Sequence, residues 1–112
     1  MSRPAQVAVD AARQEGSGLA ISDITLMEIA QLSNRRRITF PVGLEAFLIE
    51  VAYRFRVFPI TVNIAIQAFE LPANYPKDPV DRVIAATALV EDIPLLTADR
   101  EIHKSRAVPT IW

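Results

Sequence analysis

Cysteine is absent from this chain of 112 residues. Disulfides and thiolate-bound zinc or iron–sulfur centres are therefore excluded, and a reducing compartment suits the protein. Glycine is scarce: Gly16, Gly18 and Gly43 are the three present, too few for a flexible linker or a Gly-rich phosphate loop. The single histidine, His103, argues against a His-rich metal site or a His-based triad and reads as a solvated surface residue. Charge of one sign is not in excess, because 12 Lys and Arg stand against 13 Asp and Glu; a polybasic nucleic-acid tail or strongly charged disordered arm is excluded. Long apolar runs are missing too. The longest uncharged stretch, Val57 to Phe69, contains Pro59 and Asn63, too short and too polar to span a bilayer. The opening MSRPAQVAVDAARQEG has no apolar segment of a secretory signal. The expectation is a cytoplasmic protein with no membrane partner, one domain over residues 1–112. With 51% hydrophobic side chains, it should bury roughly 65% of the surface its unfolded chain exposes.

What the sequence does contain is alternation. Ser2 and Pro4 form an N-cap and first-turn pair, and apolar residues recur at helical spacing up to a stop at Gly16-Ser17-Gly18. LAIS (Leu19–Ser22) has strand length, and Ser22 can cap a helix running to Ser33-Asn34. Pro41 is expected to open an amphipathic helix reaching about Arg56, with Leu44, Phe47, Leu48, Val51 and Ala52 on one face. VFPI (Val57–Ile60) reads as a strand, and Thr61 or Asn63 caps a helix to about Glu70. Asp78-Pro79 starts another helix, to about Glu91, followed by the strand PLLT (Pro94–Thr97), a short helix or turn over Ala98–Ser105 and a terminal strand, VPTIW, where Trp112 should pack. Short apolar strands alternating with helices predict an α/β fold with a parallel sheet.

In such a sheet, ligands bind beyond the carboxyl ends of the strands, where the N-termini of the following helices also lie. Three carboxylates meet this criterion independently. Asp99 follows PLLT by two residues, Glu28 lies in the second turn of the helix leaving LAIS, and Asp81 lies in the first turn of the helix leading into PLLT. Glu28 interrupts an apolar stripe between Ile24 and Leu32, and Asp81 lines up with Ile84, Ala85 and Ala88. A carboxylate facing a core must be paired, protonated or bound to a cation. Separately each has a plainer explanation: Asp78 and Asp81 as cap and first-turn acid, Asp99 as a turn former, Glu28 as a solvated acid at the edge of a stripe. Their shared position at one end of the sheet favours a cluster. Oxygen donors alone suit a hard cation, Mg²⁺ or Mn²⁺, whose natural chemistry is hydrolysis of a phosphodiester. Arg35-Arg36-Arg37 could meet RNA phosphates or form a solvated helix end.

These residues carry a resemblance. DPVDRVIAATALVEDIPLLTADREIHKSRAVPTIW (Asp78–Trp112) resembles the C-terminal half of a PIN domain of the VapC type, the toxin of toxin–antitoxin pairs. AISDITLMEIAQLSNRRRITF is similar to that family's Ser-x-x-(Ser/Thr)-x-x-Glu helix and the basic turn after it, and Tyr75 stands near a position where relatives often have His. The resemblance implies a three-layer α/β/α fold and a metal-dependent endoribonuclease using Mg²⁺ or Mn²⁺. It also implies a cognate antitoxin as partner and a homodimer. By position, Glu28, Asp81 and Asp99 match metal-ligating acids, and Thr97 matches a hydroxyl that orients a carboxylate or a metal water. The family's opening strand, with a further ligand Asp, has no counterpart here; Asp10 and Asp23 are not convincing replacements. The resemblance places that strand in the middle of the sheet, with LAIS and VFPI on one side, PLLT and PTIW on the other. It favours Met1 as an internal methionine of a longer frame over a naturally shortened domain. A domain so shortened is expected to be unstable or partner-dependent and weakly active. The alternatives are a catalytically weak PIN module that binds antitoxin or dimerises, and a receiver-like or flavodoxin-like α/β domain.

Overall fold

The computed structural model describes residues 2–14 and 18–112. The expected helix stop at Gly16-Ser17 lies outside the described residues. The first helix, α1 (Arg3–Gln14), begins where the Ser2 hydroxyl accepts a hydrogen bond from the Ala5 N–H at 3.3 Å. Strand β1 (Ala20–Ser22) leads into α2 (Ile24–Asn34), whose first N–H is met by Ser22 Oγ at 3.2 Å. Then follow α3 (Leu44–Arg54), β2 (Arg56–Phe58) and α4 (Val62–Ala68), the last capped by Thr61 Oγ1 accepting from the Ile64 N–H at 3.2 Å. The chain ends with α5 (Pro79–Val90), β3 (Leu95–Leu96), α6 (Arg100–Ser105) and β4 (Thr110–Ile111).

Two expectations fail at α3 and the C-terminus. Pro41 does not open α3: Gly43 donates its N–H to the Phe40 carbonyl and adopts φ 86°, ψ 161°, a backbone no helix contains, so the helix starts at Leu44. Trp112 lies beyond β4 and is 42% exposed, not packed.

The strands pair in parallel, as an α/β fold requires, but in two separate ribbons rather than one sheet. β1 pairs with β2, Ile21 opposite Val57, and β3 pairs with β4, Leu95 opposite Thr110. No described strand joins β1 to β3. Between them lies a cavity of about 670 Å³, lined by residues of α1, β1, α5 and β3. The radius of gyration, 14.5 Å, exceeds the roughly 13 Å of a close-packed domain of this length, in keeping with that gap.

The α5 helix holds the molecule together. Its Ala85 and Ala88 pack with Tyr75, Ile102 and Val108, while its Val83 and Ala86 pack with Ile64 and Ala68. Both buried clusters therefore share one helix. Its small side chains let the neighbouring backbones approach closely. Thr87, also buried on α5, satisfies its own hydroxyl by donating to the Val83 carbonyl at 2.7 Å.

Candidate active site

The end of the fold where β1, β2 and β3 terminate carries the acids. Asp78 accepts a hydrogen bond from the Val80 N–H at 2.9 Å, and Pro79 follows in the first turn of α5. This Asp-Pro start fixes Asp81 in that first turn, half-buried. Glu28, half-buried in the second turn of α2, is reached directly from β1. Asp99 is exposed and caps α6 by accepting from the Glu101 N–H at 2.9 Å. The turn-former role is thus real for one oxygen of Asp99.

Glu28 and Asp81 each feel acids around them. Burial raises the Glu28 carboxyl above its ordinary value, and repulsion from Asp81 and then Asp78 adds to it. Burial likewise raises Asp81, with further contributions from Asp78 and Asp99. Asp81 is therefore the electrostatic centre of the group. Arg82, next to Asp81 in sequence, is committed elsewhere: its guanidinium donates to the carbonyls of Ala68 (3.2 Å) and Tyr75 (3.5 Å). Ion pairs among the described residues, Arg54–Glu50 and Lys104–Glu101, involve none of these acids. The carboxylates do not, however, form a ready-made cage, because no three His, Cys, Asp or Glu of the described residues stand close enough to hold a metal by themselves. Coulomb repulsion reaches farther than the roughly 2 Å of a metal–oxygen bond, which is why the acids sense one another without converging on a point.

Thr97 acts on the backbone of its neighbour: its hydroxyl accepts from the Asp99 N–H at 3.1 Å. Its own carbonyl receives a 2.6 Å hydrogen bond from His103 Nε2. A carbonyl only accepts, so Nε2 donates, while Nδ1 shares a 2.8 Å hydrogen bond with the Thr110 hydroxyl. The expectation of a solvated His103 is corrected here. The half-buried ring clamps the end of β3 to β4 from the last turn of α6.

Asp23 carries a further signal. It follows β1, and its Oδ2 accepts from the Ile60 N–H at 3.3 Å, bracing the ends of β1 and β2. Its Oδ1 is buried with no hydrogen-bond partner among the described residues. Its position directly after a strand was the sequence clue. Arg35, Arg36 and Arg37 are exposed at the far end of α2, where Arg36 and Arg37 donate main-chain N–H groups to Ser33 and Leu32. The helix of 11 residues spans roughly 16 Å, so the arginines lie away from the sheet end that carries Glu28.

The family match bears on this arrangement. The PIN domain family matches residues 2–107. A relative, Ribonuclease VapC22 of Mycobacterium tuberculosis (strain ATCC 25618 / H37Rv), is 32% identical over 108 residues, which are 95% of this chain and 83% of that protein. The chain belongs to the PIN domain family and is of the VapC type. The receiver-like or flavodoxin-like alternative is set aside by that match.

Proposed function

We propose that the chain is a metal-dependent endoribonuclease of the VapC toxin type, cleaving RNA phosphodiesters. The observation that carries this reading is a group of mutually repelling, partly buried carboxylates, without an ion-pair partner among the described residues, at the carboxyl end of the strands in a PIN domain.

The donor chemistry fits Mg²⁺ or Mn²⁺. Only oxygen donors are offered, and a hard cation binds through one or two carboxylates, completing its shell with waters and substrate phosphates. A protein cage of three acids is not required. Glu28, Asp81 and Asp99 are the residues that would hold the ion, Asp81 being coupled to the other two. A bound divalent cation supplies Lewis acidity, neutralising charge that grows on the phosphorus oxygens. Thr97 positions Asp99 through its main-chain N–H. The Glu28 and Asp81 carboxyls hold a proton more readily than free ones, so a cation bound there competes with protons more than it would at free carboxylates. Arg35, Arg36 and Arg37 are proposed to meet RNA phosphates away from the scissile bond.

In this reading the protein works in the cytoplasm beside a cognate antitoxin and as a homodimer. No helix among the described residues is long and apolar enough to cross a membrane. Exposed apolar side chains on α3 and α4, among them Ile49, Tyr53, Val62 and Ile66, offer a surface for a protein partner. A second reading, a catalytically weak module that binds antitoxin or dimerises, is favoured by that same exposed apolar surface on α3 and α4.

Incubating the protein with labelled RNA separates the two. The first reading expects cleavage that needs Mg²⁺ or Mn²⁺, stops with chelator and is lost in Asp81→Asn. Absence of cleavage at any concentration of either ion overturns it in favour of the second.

A further inference from the structure

Asp99 is tied to its own neighbours by its backbone and by one carboxylate oxygen. Its N–H donates to Thr97 Oγ1 at 3.1 Å, its carbonyl accepts from the His103 N–H at 3.2 Å, and its Oδ1 accepts from the Glu101 N–H at 2.9 Å. Oδ2 has no hydrogen-bond partner among the described residues. All three partners lie between residues 97 and 103. These bonds fix Asp99 to the start of α6, and the direction of Oδ2 then follows from how α6 itself is seated.

Two adjacent side chains seat it. Ile102 is 5% exposed and packs with Tyr75, Ala85, Ala88 and Val108. Apolar burial is non-directional, so it keeps a helix of six residues on the core but allows it to roll. His103, about 100° further round the helix, adds direction. Its Nε2 donates to the Thr97 carbonyl at 2.6 Å, and its Nδ1 shares a 2.8 Å hydrogen bond with the Thr110 hydroxyl. Hydrogen bonds weaken steeply when misaligned, and two of them on one rigid ring oppose rotation of the helix. Their far ends are fixed as well: the Thr97 N–H donates to the Ile111 carbonyl at 3.1 Å, and Thr110 belongs to β4. The other polar side chains of α6 do not reach the strands. Arg100, Glu101 and Lys104 are exposed, and Ser105 donates to the Ile102 carbonyl within the helix at 2.6 Å.

We infer that His103 is a positioning residue for Asp99: by holding α6 against rotation on the β3–β4 ribbon, it sets the direction of the free carboxylate oxygen. The inference rests on the reading of Asp99 as one of the residues that would hold a divalent cation. Ile102 packs against the helix that carries Asp81, so a roll of α6 changes the spacing of Asp81 and Asp99. Repulsion from Asp99 already reaches the Asp81 carboxyl. His103 touches neither the ion nor RNA in this role; it acts through Thr97 and the seat of α6.

The test measures Mn²⁺ binding to the full chain without RNA, by the paramagnetic resonance signal of the free ion, at a temperature where each variant is folded. Asp99→Asn should weaken binding, as the underlying reading requires. His103→Phe keeps a ring and deletes both hydrogen bonds, and should weaken binding by about tenfold or more. His103→Gln offers an amide N–H to the Thr97 carbonyl and should recover most of that loss. Thr110→Val removes the partner of Nδ1 and should give a smaller loss; it carries the test if His103→Phe does not fold. In RNA cleavage, the half-saturating Mn²⁺ concentration should rise in His103→Phe while KM for RNA holds. Gly43→Ala, which strains the backbone before α3, lowers stability outside this network and should bind Mn²⁺ as the parent does. Parent-like binding in His103→Phe, or in Thr110→Val where the first does not fold, would overturn the inference if Asp99→Asn is weakened. So would absence of recovery in His103→Gln, or a loss in Gly43→Ala as large as in His103→Phe. Parent-like binding in Asp99→Asn would instead sink the reading of Asp99 itself, and the inference with it.

Discussion

The hydroxyl of Tyr75 donates to the main-chain carbonyl of Asp81 at 3.1 Å, joining a core residue to the most strongly coupled acid of the site. Tyr75 is 2% exposed, and burial together with Asp81 and Asp99 pushes its hydroxyl up to about 12, so it stays a donor at any working pH. Replacing it by phenylalanine keeps the ring and deletes the bond. Tyr75→Phe should cost about 1 kcal/mol and lower Tm by roughly 4 °C, measured by thermal unfolding. Asp81 would also lose a restraint on its turn, so the RNA cleavage proposed above should fall with the fold intact.

The raised carboxyls make stability depend on pH in a definite direction. Between the ordinary values of 3.8 for Asp81 and 4.5 for Glu28 and their higher values in the fold, the folded chain binds more protons than the unfolded one. Stability from these groups is full below that window and is lost as pH rises through it. Glu28→Gln and Asp81→Asn should therefore be more stable than the parent at pH 7 in chelator. The advantage should disappear below the ordinary values. Urea melts of parent and variants at the two pH values measure this; an advantage that is the same at both would contradict it.

A divalent cation should act on the same repulsion from the other side. A ligand that binds only the folded chain stabilises it by about 2.7 kcal/mol at a hundred times its Kd. Mg²⁺ or Mn²⁺ is expected to raise Tm of the parent in a saturable way and to leave Asp81→Asn unmoved. A rise of equal size in both would mean that the ion acts elsewhere.

His103 ties β3 to β4 through both of its ring nitrogens. Truncation to alanine leaves the Thr97 carbonyl and the Thr110 hydroxyl without their shared partner, at a cost of about 1–3 kcal/mol. Hydrogen exchange should localise the damage, with faster exchange at the Thr97 N–H, which holds β3 to β4, than at the Asp23 N–H, which holds β1 to β2.

Two left-handed positions give predictions of opposite sign. Arg106 caps α6 at φ 53°, ψ 20°, a conformation that costs a side-chain-bearing residue roughly 1–2 kcal/mol. Arg106→Gly should recover about 0.5–1 kcal/mol of it after glycine's own entropy cost. Gly43, at φ 86°, ψ 161°, occupies a region essentially reserved for glycine. A Cβ there would meet nothing within 4 Å, yet Gly43→Ala should cost about 1–3 kcal/mol through the backbone alone.

Local chemistry explains how much of this was readable in the sequence. Thr61 and Asp78 each set a helix start through a bond within three residues of the chain, so those starts followed from residue order; at α2 the cap position falls to Asp23, one residue beyond the expected Ser22. Pro41 misled because a proline marks a first helical turn or an ordinary turn equally well, and only the φ of Gly43 decides. The candidate acids share one end of the fold because a parallel sheet puts strand ends and helix starts on one side. His103 could not, since its partners, Thr97 and Thr110, are united only by the pairing of β3 with β4. The split into two ribbons was not written in any one segment, but the family resemblance implied it by setting LAIS and VFPI on one side of a middle strand and PLLT and PTIW on the other. Whether β1 meets β3 depends on what stands between them, and neither strand's own pattern records its neighbour.

The shared helix α5 has a mechanical meaning. Glu28 rides with the β1–β2 ribbon, Asp99 rides with the β3–β4 ribbon, and Asp81 sits on the helix that packs into both clusters. The spacing of the acids is therefore a calliper reading of how far apart the two halves stand. Widening or narrowing the seam would change the distances between the carboxylates.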